Sequence, residues 1–270
     1  MARSALLNVM TSAALKAGRA LSRDFGEVQN LQVSKKGPGD FVSNADKNAE
    51  KIIRIELDRA RPGYGFLMEE SGERQGTNKN HRWIVDPLDG TTNFLHAIPI
   101  FAVSIALERD GEIVAGVIYN PAMDELYVAE RGTGAYLNDR RLRVANRREL
   151  VDCVVGAGIP HIGRKNHTRF LEQQRRFMLE TSGIRRMGAA ALDLAYVAAG
   201  RLDGFWEYGL SPWDVAAGII IAREAGGMVS DFDSKNQMME NGTICAGNPV
   251  IQKKMLSIIK DTDSRDVMAD

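Results

Sequence analysis

Trp83-Ile84-Val85-Asp86-Pro87-Leu88-Asp89-Gly90-Thr91-Thr92-Asn93-Phe94 runs a short apolar strand into two aspartates separated by Pro87 and Leu88. The proline fixes its own φ and shapes the turn between the acids. Gly90-Thr91-Thr92 then reads as a helix start, where backbone N–H groups stand open. Carboxylates at a strand end beside such N–H groups suit a hard cation and a phosphate together, and so phosphoryl chemistry. A plain strand, an Asp-Pro turn and a capping Asp would leave the same local pattern. Further acids argue against that simpler reading. Glu69-Glu70 lies just upstream, Asp40 and Asp46 precede it, and Trp213-Asp214 follows near another helix start.

Other chemistries fit less well. The four histidines have no zinc-like spacing. Asp86-Pro87-Leu88-Asp89-Gly90-Thr91 is one residue too long for the D-x-D-x-T pattern of an aspartyl-phosphate phosphatase. No Walker A motif points to a kinase. Several of the acids also have structural readings. Asp46 and Asp214 suit helix caps, Glu70 suits a solvated loop, and Glu207 suits a strand-edge charge. Lys35 and Lys36 read better as surface than as phosphate ligands.

The chain has 270 residues, ample for a large core in one domain or two intimate lobes. Lys+Arg and Asp+Glu balance at 35 each, so no global field recruits nucleic acid or membrane. Cys153 and Cys245 lie in apolar, strand-like runs and read as reduced thiols, which fits a cytoplasmic location. Near the N-terminus, Asn8, Ser12, Lys16, Arg19 and Arg23 make a polar stripe at helical spacing. Leu6, Met10, Ala13, Ala14, Ala17 and Leu21 fill the other face. That pattern reads as an amphipathic helix in preference to a signal h-region, with a cleaved leader as the alternative. No apolar run reaches transmembrane length.

The elements that must hold the acids follow from periodicity. Helices are expected over 3–25 and from Ser43 to about 60, the second opened by a Ser43/Asp46 capping box. Its buried face is Ala45, Ala49, Ile52, Ile53, Leu57 and Ala60. Residues 83–145 read as β, with a hairpin of 101–108 and 112–119 turning at Asp110-Gly111. Strands follow at 125–129 and 134–137, with a turn at Asn138-Asp139. After about 146 the pattern alternates. Strands are expected at 151–157, 184–187, 202–207, 228–232 and 243–246. Helices are expected at 166–181, 190–199, 213–225 and 248–260. The fold class is therefore mixed α/β: a largely antiparallel N-terminal lobe at 1–145 and a C-terminal α/β lobe at 146–260, with a charged tail at 261–270. Asp86 and Asp89 belong to the first lobe and Asp214 to the second, so a shared site lies in the cleft between them.

Taken together, these motifs resemble the inositol monophosphatase family, part of the lithium-sensitive, magnesium-dependent sugar-phosphatase superfamily. The resemblance rests on the strand-to-helix stretch at 83–94, on Pro212-Trp213-Asp214-Val215-Ala216-Ala217-Gly218, and on Glu224-Ala225-Gly226-Gly227. It also draws on the small-residue helix from Gly188 to Gly200, on Asp40-Phe41-Val42-Ser43-Asn44-Ala45-Asp46, and on Glu69-Glu70-Ser71-Gly72. It implies a layered α-β-α-β-α sandwich and a Mg²⁺-dependent hydrolysis of myo-inositol monophosphate that uses two or three ions. Glu69, Asp86, Asp89, Asp214 and the Leu88 carbonyl would hold the metals, with Glu70 at a weaker third site. Asp46 and Thr91 would orient and deprotonate the attacking water, and Glu69 would share in catalysis. Gly90 and Thr91 would cradle the phosphate, Glu207 would contact substrate hydroxyls, and Gly188, Ala189 and Ala190 would line the pocket.

The substrate stays open among related monoesters. Histidinol phosphate, fructose 1,6-bisphosphate and 3′-phosphoadenosine 5′-phosphate are the alternatives that the resemblance implies. Ala189 stands where relatives often carry a hydroxyl, which removes one hydrogen bond to substrate. A homodimer and sensitivity to Li⁺ are further implied. Relatives also act as RNA-processing or transcription-complex partners. Arg140-Arg141-Leu142-Arg143 with Arg147-Arg148 is the candidate surface for an RNA polymerase or RNA-processing partner, against the plainer reading of a solvated hairpin edge.

Overall fold

Helix α1 (Ala5–Phe25) begins at Ser4, whose hydroxyl oxygen accepts the Leu7 N–H at 3.1 Å, a standard N-cap. Most of its expected stripe is buried: Met10, Ala13, Ala14, Ala17 and Leu21 are all inaccessible, and Leu6 is half-buried. A short hairpin, β1 (Val33–Gly37) and β2 (Asp40–Ser43), leads into α2 (Asn44–Ala60). The buried face of α2 differs from expectation. Ile52 and Ala60 are only half-buried, whereas Asp46 and Glu50 are buried beside Ala45, Ala49, Ile53 and Leu57. The computed structural model describes residues 3–27, 33–37, 40–161, 163 and 165–263, with the backbone alone for 33–37, 40–43 and 263. The side chains of Lys35, Lys36, Asp40 and Ser43, and tail residues 264–270, lie outside the described residues.

The first sheet contains β3 (Tyr64–Met68), β4 (Gly72–Arg74) and β5 (Asn78–Asp89), then, after α3 (Thr91–Leu95), β6 (Ala102–Arg109), β7 (Glu112–Asn120), β8 (Glu125–Glu130), β9 (Gly134–Leu137) and β10 (Arg140–Arg141). Its order is β10-β9-β8-β7-β6-β5-β3-β4. Every pairing is antiparallel except β3 with β5. The β6–β7 turn is at Asp110-Gly111 as expected, both with positive φ (53° and 78°), the geometry a two-residue hairpin loop prefers. β3 and β4 were not expected, because a five-residue apolar run followed by two glutamates carries little period-2 signal.

The second sheet is mixed, in the order β12-β11-β13-β15-β14. Its strands are β11 (Val154–Ala157), β12 (Gly183–Arg185), β13 (Gly204–Tyr208), β14 (Met228–Ser230) and β15 (Thr243–Gly247). Interleaved helices are α4 (His167–Glu180), α5 (Ala190–Ala198), α6 (Pro212–Glu224), α7 (Met238–Asn241) and α8 (Pro249–Asp263). Several bounds differ from the periodicity: the strands expected at 184–187, 202–207 and 228–232 are Gly183–Arg185, Gly204–Tyr208 and Met228–Ser230. Leu150–Asp152 forms a 3₁₀ turn, so the expected strand at 151–157 starts only at Val154. α7 is a single turn that shows no period. α8 runs on to Asp263, so residues 261–263 are helical and not tail.

The layers run α1/α2, first sheet, α5/α6, second sheet, α4/α8, which is the expected five-layer sandwich. All nine residues of α5 are buried, as are the eight residues Val215–Ala222 of α6. These two helices share one apolar cluster with Ile84, Ala102, Ile118 and Tyr127 of the first sheet and Phe205, Ile244 and Ala246 of the second. The lobes therefore meet through a common core. We propose the boundary at 145/146, between β10 and the 3₁₀ turn. Among the described residues no helix is long and apolar enough to cross a membrane.

Candidate active site

β5 carries Asp86 and Asp89 into the middle of the molecule. Its pairing with β6 is regular through Asp86↔Ser104 and breaks before Asp89↔Ala102, so Pro87-Leu88 bulges out of register. Asp86 Oδ1 accepts the Leu88 N–H at 2.9 Å and locks that bulge. Gly90 follows with φ +88°. A Cβ there would stand 2.8 Å from the Ile100 carbonyl oxygen, so both the backbone angle and the space require glycine.

Thr91 opens α3. Its hydroxyl lies 3.0 Å from the Leu88 carbonyl oxygen and 3.4 Å from Asp46 Oδ1. Asp46 is fully buried in the first turn of α2. Glu69 and Glu70 follow β3. The side chain of Glu50, one turn beyond Asp46, accepts the Glu70 N–H at 2.9 Å and the Ser71 N–H at 3.4 Å and so fixes this loop. Asp214 arrives from the other lobe in the first turn of α6. Its Oδ2 accepts the Ser211 N–H at 2.7 Å in a capping box. The capping reading of Asp214 is thus correct, and it coexists with a place in the cavity wall.

A cavity of ≈ 400 Å³ opens between the lobes. Glu69, Asp89, Gly90, Thr91, Glu207 and Asp214 line it, together with Gly188, Ala189 and Ala190. Asp86 is buried beneath this wall, and Asp46 reaches the site through Thr91. Glu70 does not line the cavity. Asp89 Oδ2 accepts the Ala191 N–H at 2.7 Å, so the N-terminus of α5 is tied to the strand-end acid.

Burial, reinforced by Glu69, Asp89 and Asp214, pushes the Asp86 carboxyl well above its ordinary range. Burial and Asp214 do the same to Asp89, partly offset by the Ala191 N–H. The main influences on both include no cation. The donor set is all oxygen and all acid, which fits a hard divalent cation better than zinc. Among the described residues no three His, Cys, Asp or Glu side chains stand as a formed metal-holding group. The fit is therefore one of donor chemistry, not of a closed cage.

The sequence matches the Inositol monophosphatase family over residues 2–264. The chain belongs to that family. Within it, the chain is 70% identical over 260 residues to an inositol-1-monophosphatase of Mesorhizobium japonicum, covering 96% of this chain and 98% of that one. It is 44% identical over 256 residues to the Nus factor SuhB of Escherichia coli, covering 95% and 96%. The crystal structure of the extragenic suppressor protein suhB from Bartonella henselae superposes with a TM-score of 0.93 at 62% identity, covering 95% and 99%.

Several residues that line or brace the cavity carry little signal in the sequence. Asn93 Nδ2 donates to the Ile100 and Met187 carbonyls, both at 2.8 Å, and clips the two lobes together behind the cavity. Its only signal was its place in the 83–94 motif. Glu50 had a clearer one, as an acid four residues after Asp46 on a helix whose neighbouring positions are apolar. Arg186 and His161, from separate loops, also line the cavity, with no pattern that marks them.

Proposed function

We propose that this protein hydrolyses myo-inositol monophosphate to inositol and phosphate with Mg²⁺. The observation that carries this reading is that Asp89, Glu69 and Asp214, from two lobes, share one cavity wall with Glu207 above the buried Asp86. Glu69, Asp86, Asp89, Asp214 and the Leu88 carbonyl would hold two ions, with Glu70 helping a third. Bound there, Mg²⁺ neutralises phosphate charge and lowers the pKa of water.

The chain's own residues supply position and proton handling. Thr91 has one hydroxyl proton and two acceptors within reach, the Leu88 carbonyl and Asp46. Donation to Asp46 leaves a Thr91 lone pair to accept from the attacking water. Asp46 is thereby the terminal proton acceptor, through Thr91. Gly90 and Thr91 line the cavity at the first turn of α3, where N–H groups are open to phosphate oxygens. Glu207 lines the cavity, where it would accept from ring hydroxyls, and Gly188, Ala189 and Ala190 would leave room for the ring.

A panel of inositol 1-phosphate, histidinol phosphate, fructose 1,6-bisphosphate and 3′-phosphoadenosine 5′-phosphate tests the substrate by phosphate release with and without Mg²⁺. Inositol 1-phosphate should have the highest kcat/KM, and release should require the metal. A tenfold preference for another member, or metal-independent release, overturns the reading.

The relative named as a Nus factor supports a second role, in which this chain also joins a transcription complex containing RNA polymerase. Arg140, Arg141, Arg143, Arg147 and Arg148 are all exposed and would face that partner. Arg147 is already engaged with Asp203 at 2.9 Å, so the remaining four carry the surface. We also propose a homodimer, and a cytoplasmic location suited to the free, buried Cys153 and Cys245.

A further inference from the structure

Asp193 is the one charged residue in the fully buried helix α5. It is 1% exposed, and its Oδ1 has no hydrogen-bond partner. A buried carboxyl left in that condition costs stability that an alanine or leucine would not. Fold alone therefore does not account for it.

The strand beneath is shaped around this acid. A Cβ on Gly156 would stand 2.9 Å from Asp193 Oδ1, and a Cβ on Gly158 would overlap the Glu207 carboxyl. Residues two apart on an extended chain point to the same face, ~6.6 Å from each other. The carboxyls of Asp193 and Glu207 thus lie over the same face of this strand, one above Gly156 and the other above Gly158. Glu207 lines the cavity and Asp193 does not. The charged groups that act on Asp193 are Glu207 of β13, Asp89 of β5 and Arg186 of the loop before α5, and all three lie in the cavity wall.

We propose that Asp193 is a positioning residue that sets Glu207 for hydroxyl recognition, so that the cavity distinguishes polyol phosphates from esters without hydroxyls. This rests on the reading of Glu207 as the hydroxyl contact. Two neighbouring carboxyls, one buried and one half-buried, do not both ionise readily. Burial, then Glu207 and Asp89, push the Asp193 carboxyl well above its ordinary range, against the pull of Arg186. The protonated Asp193 has an O–H to offer Glu207 when a substrate hydroxyl draws that side chain forward, and its unpartnered Oδ1 is free to take part.

The test compares Asp193→Leu and Asp193→Asn with the unaltered protein on inositol 1-phosphate and on p-nitrophenyl phosphate, with thermal melts of each. Asp193→Leu should raise KM for inositol 1-phosphate about tenfold, the scale of one hydrogen bond, with kcat within about twofold. Its p-nitrophenyl phosphate turnover should be unchanged and its Tm equal or higher. Asp193→Asn, neutral and of the same shape, should hold KM within about twofold. An unchanged KM in Asp193→Leu, or equal losses on both substrates with a lower Tm, overturns the proposal. If the leucine variant does not fold, Asp193→Ala is judged by the same criteria. An unaltered protein that cleaves p-nitrophenyl phosphate but not inositol 1-phosphate instead overturns the substrate reading, before any variant is considered.

Discussion

Asp86→Asn separates a metal-holding acid from a structural one. The substitution keeps the shape, and the amide oxygen can still accept the Leu88 N–H that Asp86 Oδ1 takes at 2.9 Å. What it removes is one carboxylate from a crowd in which Glu69, Asp89 and Asp214 all raise its pKa after burial has done so. The sign follows from linkage. An acid whose folded-state pKa lies above its unfolded value binds more protons when folded. Stability is then lost as pH rises from the unfolded pKa, about 4, through the raised folded value, and stays lost above it. Without metal, Asp86→Asn should therefore melt higher than the unaltered protein at neutral pH, and the gap should close towards pH 4. With Mg²⁺ the order should reverse. Saturation at 100 times Kd stabilises a binding-competent protein by ~2.7 kcal/mol. In a chain of this size that is ~5–10 °C of Tm, and the variant should lose most of it. Turnover should fall ~10²–10³-fold, as when one preorganised electrostatic group is deleted. Thermal melts in EDTA and in Mg²⁺ between pH 4 and 8, with phosphate release, make the test. A variant that melts lower without metal, or that turns over near normally with it, refutes the reasoning.

Thr91→Ala should lower kcat by at least ~10²-fold with little change in KM, because it removes the link between the water and Asp46; steady-state kinetics on inositol 1-phosphate read this directly. Glu207→Gln should chiefly raise KM for inositol 1-phosphate and narrow the gap between polyol phosphates; a loss of kcat equal to that of Thr91→Ala would show that the two roles are misassigned. Li⁺ has nearly the size of Mg²⁺ and half its charge, so it should inhibit uncompetitively or non-competitively towards substrate. Na⁺ at equal ionic strength should not inhibit, and excess Mg²⁺ should. Rates unchanged across a Li⁺ titration would rule out metal exchange at the Asp89–Asp214 side of the site.

How much of this was legible in the sequence depends on whether a residue's role is local. The strand-end acids were readable because an apolar run, a proline and a glycine encode the strand, the turn and the positive φ of Gly90 within one short segment. The first helix was readable because α1 declares its buried face by period, and α5 and α6 because they are apolar almost all round; the layer order came with the family resemblance, whereas β3, β4 and α7 are too short to declare anything. Glu50, Asn93 and Asp193 carried weak signals at most, for a different reason. Each is a polar residue whose meaning comes from a partner far along the chain: Glu50 from the Glu70 N–H, Asn93 from the Met187 carbonyl, Asp193 from the space above Gly156. Periodicity places such a residue at a buried position and then has nothing further to say.

The same residues explain why the site needs both lobes. Asp214 is held by its own helix cap, and Asp89 by the N-terminus of α5, so neither acid depends on substrate for its direction. Asn93 then fixes the distance between the two walls by donating to Ile100 on one side and Met187 on the other. Acids that raise one another's pKa would drift apart on a looser frame. Here the apolar cluster shared by α5, α6 and both sheets opposes that repulsion, at a cost the buried core is large enough to offset. A divalent cation held between these acids would offset their mutual repulsion. Preorganisation of this kind is what phosphate monoester hydrolysis most needs, since its uncatalysed rate is among the slowest known.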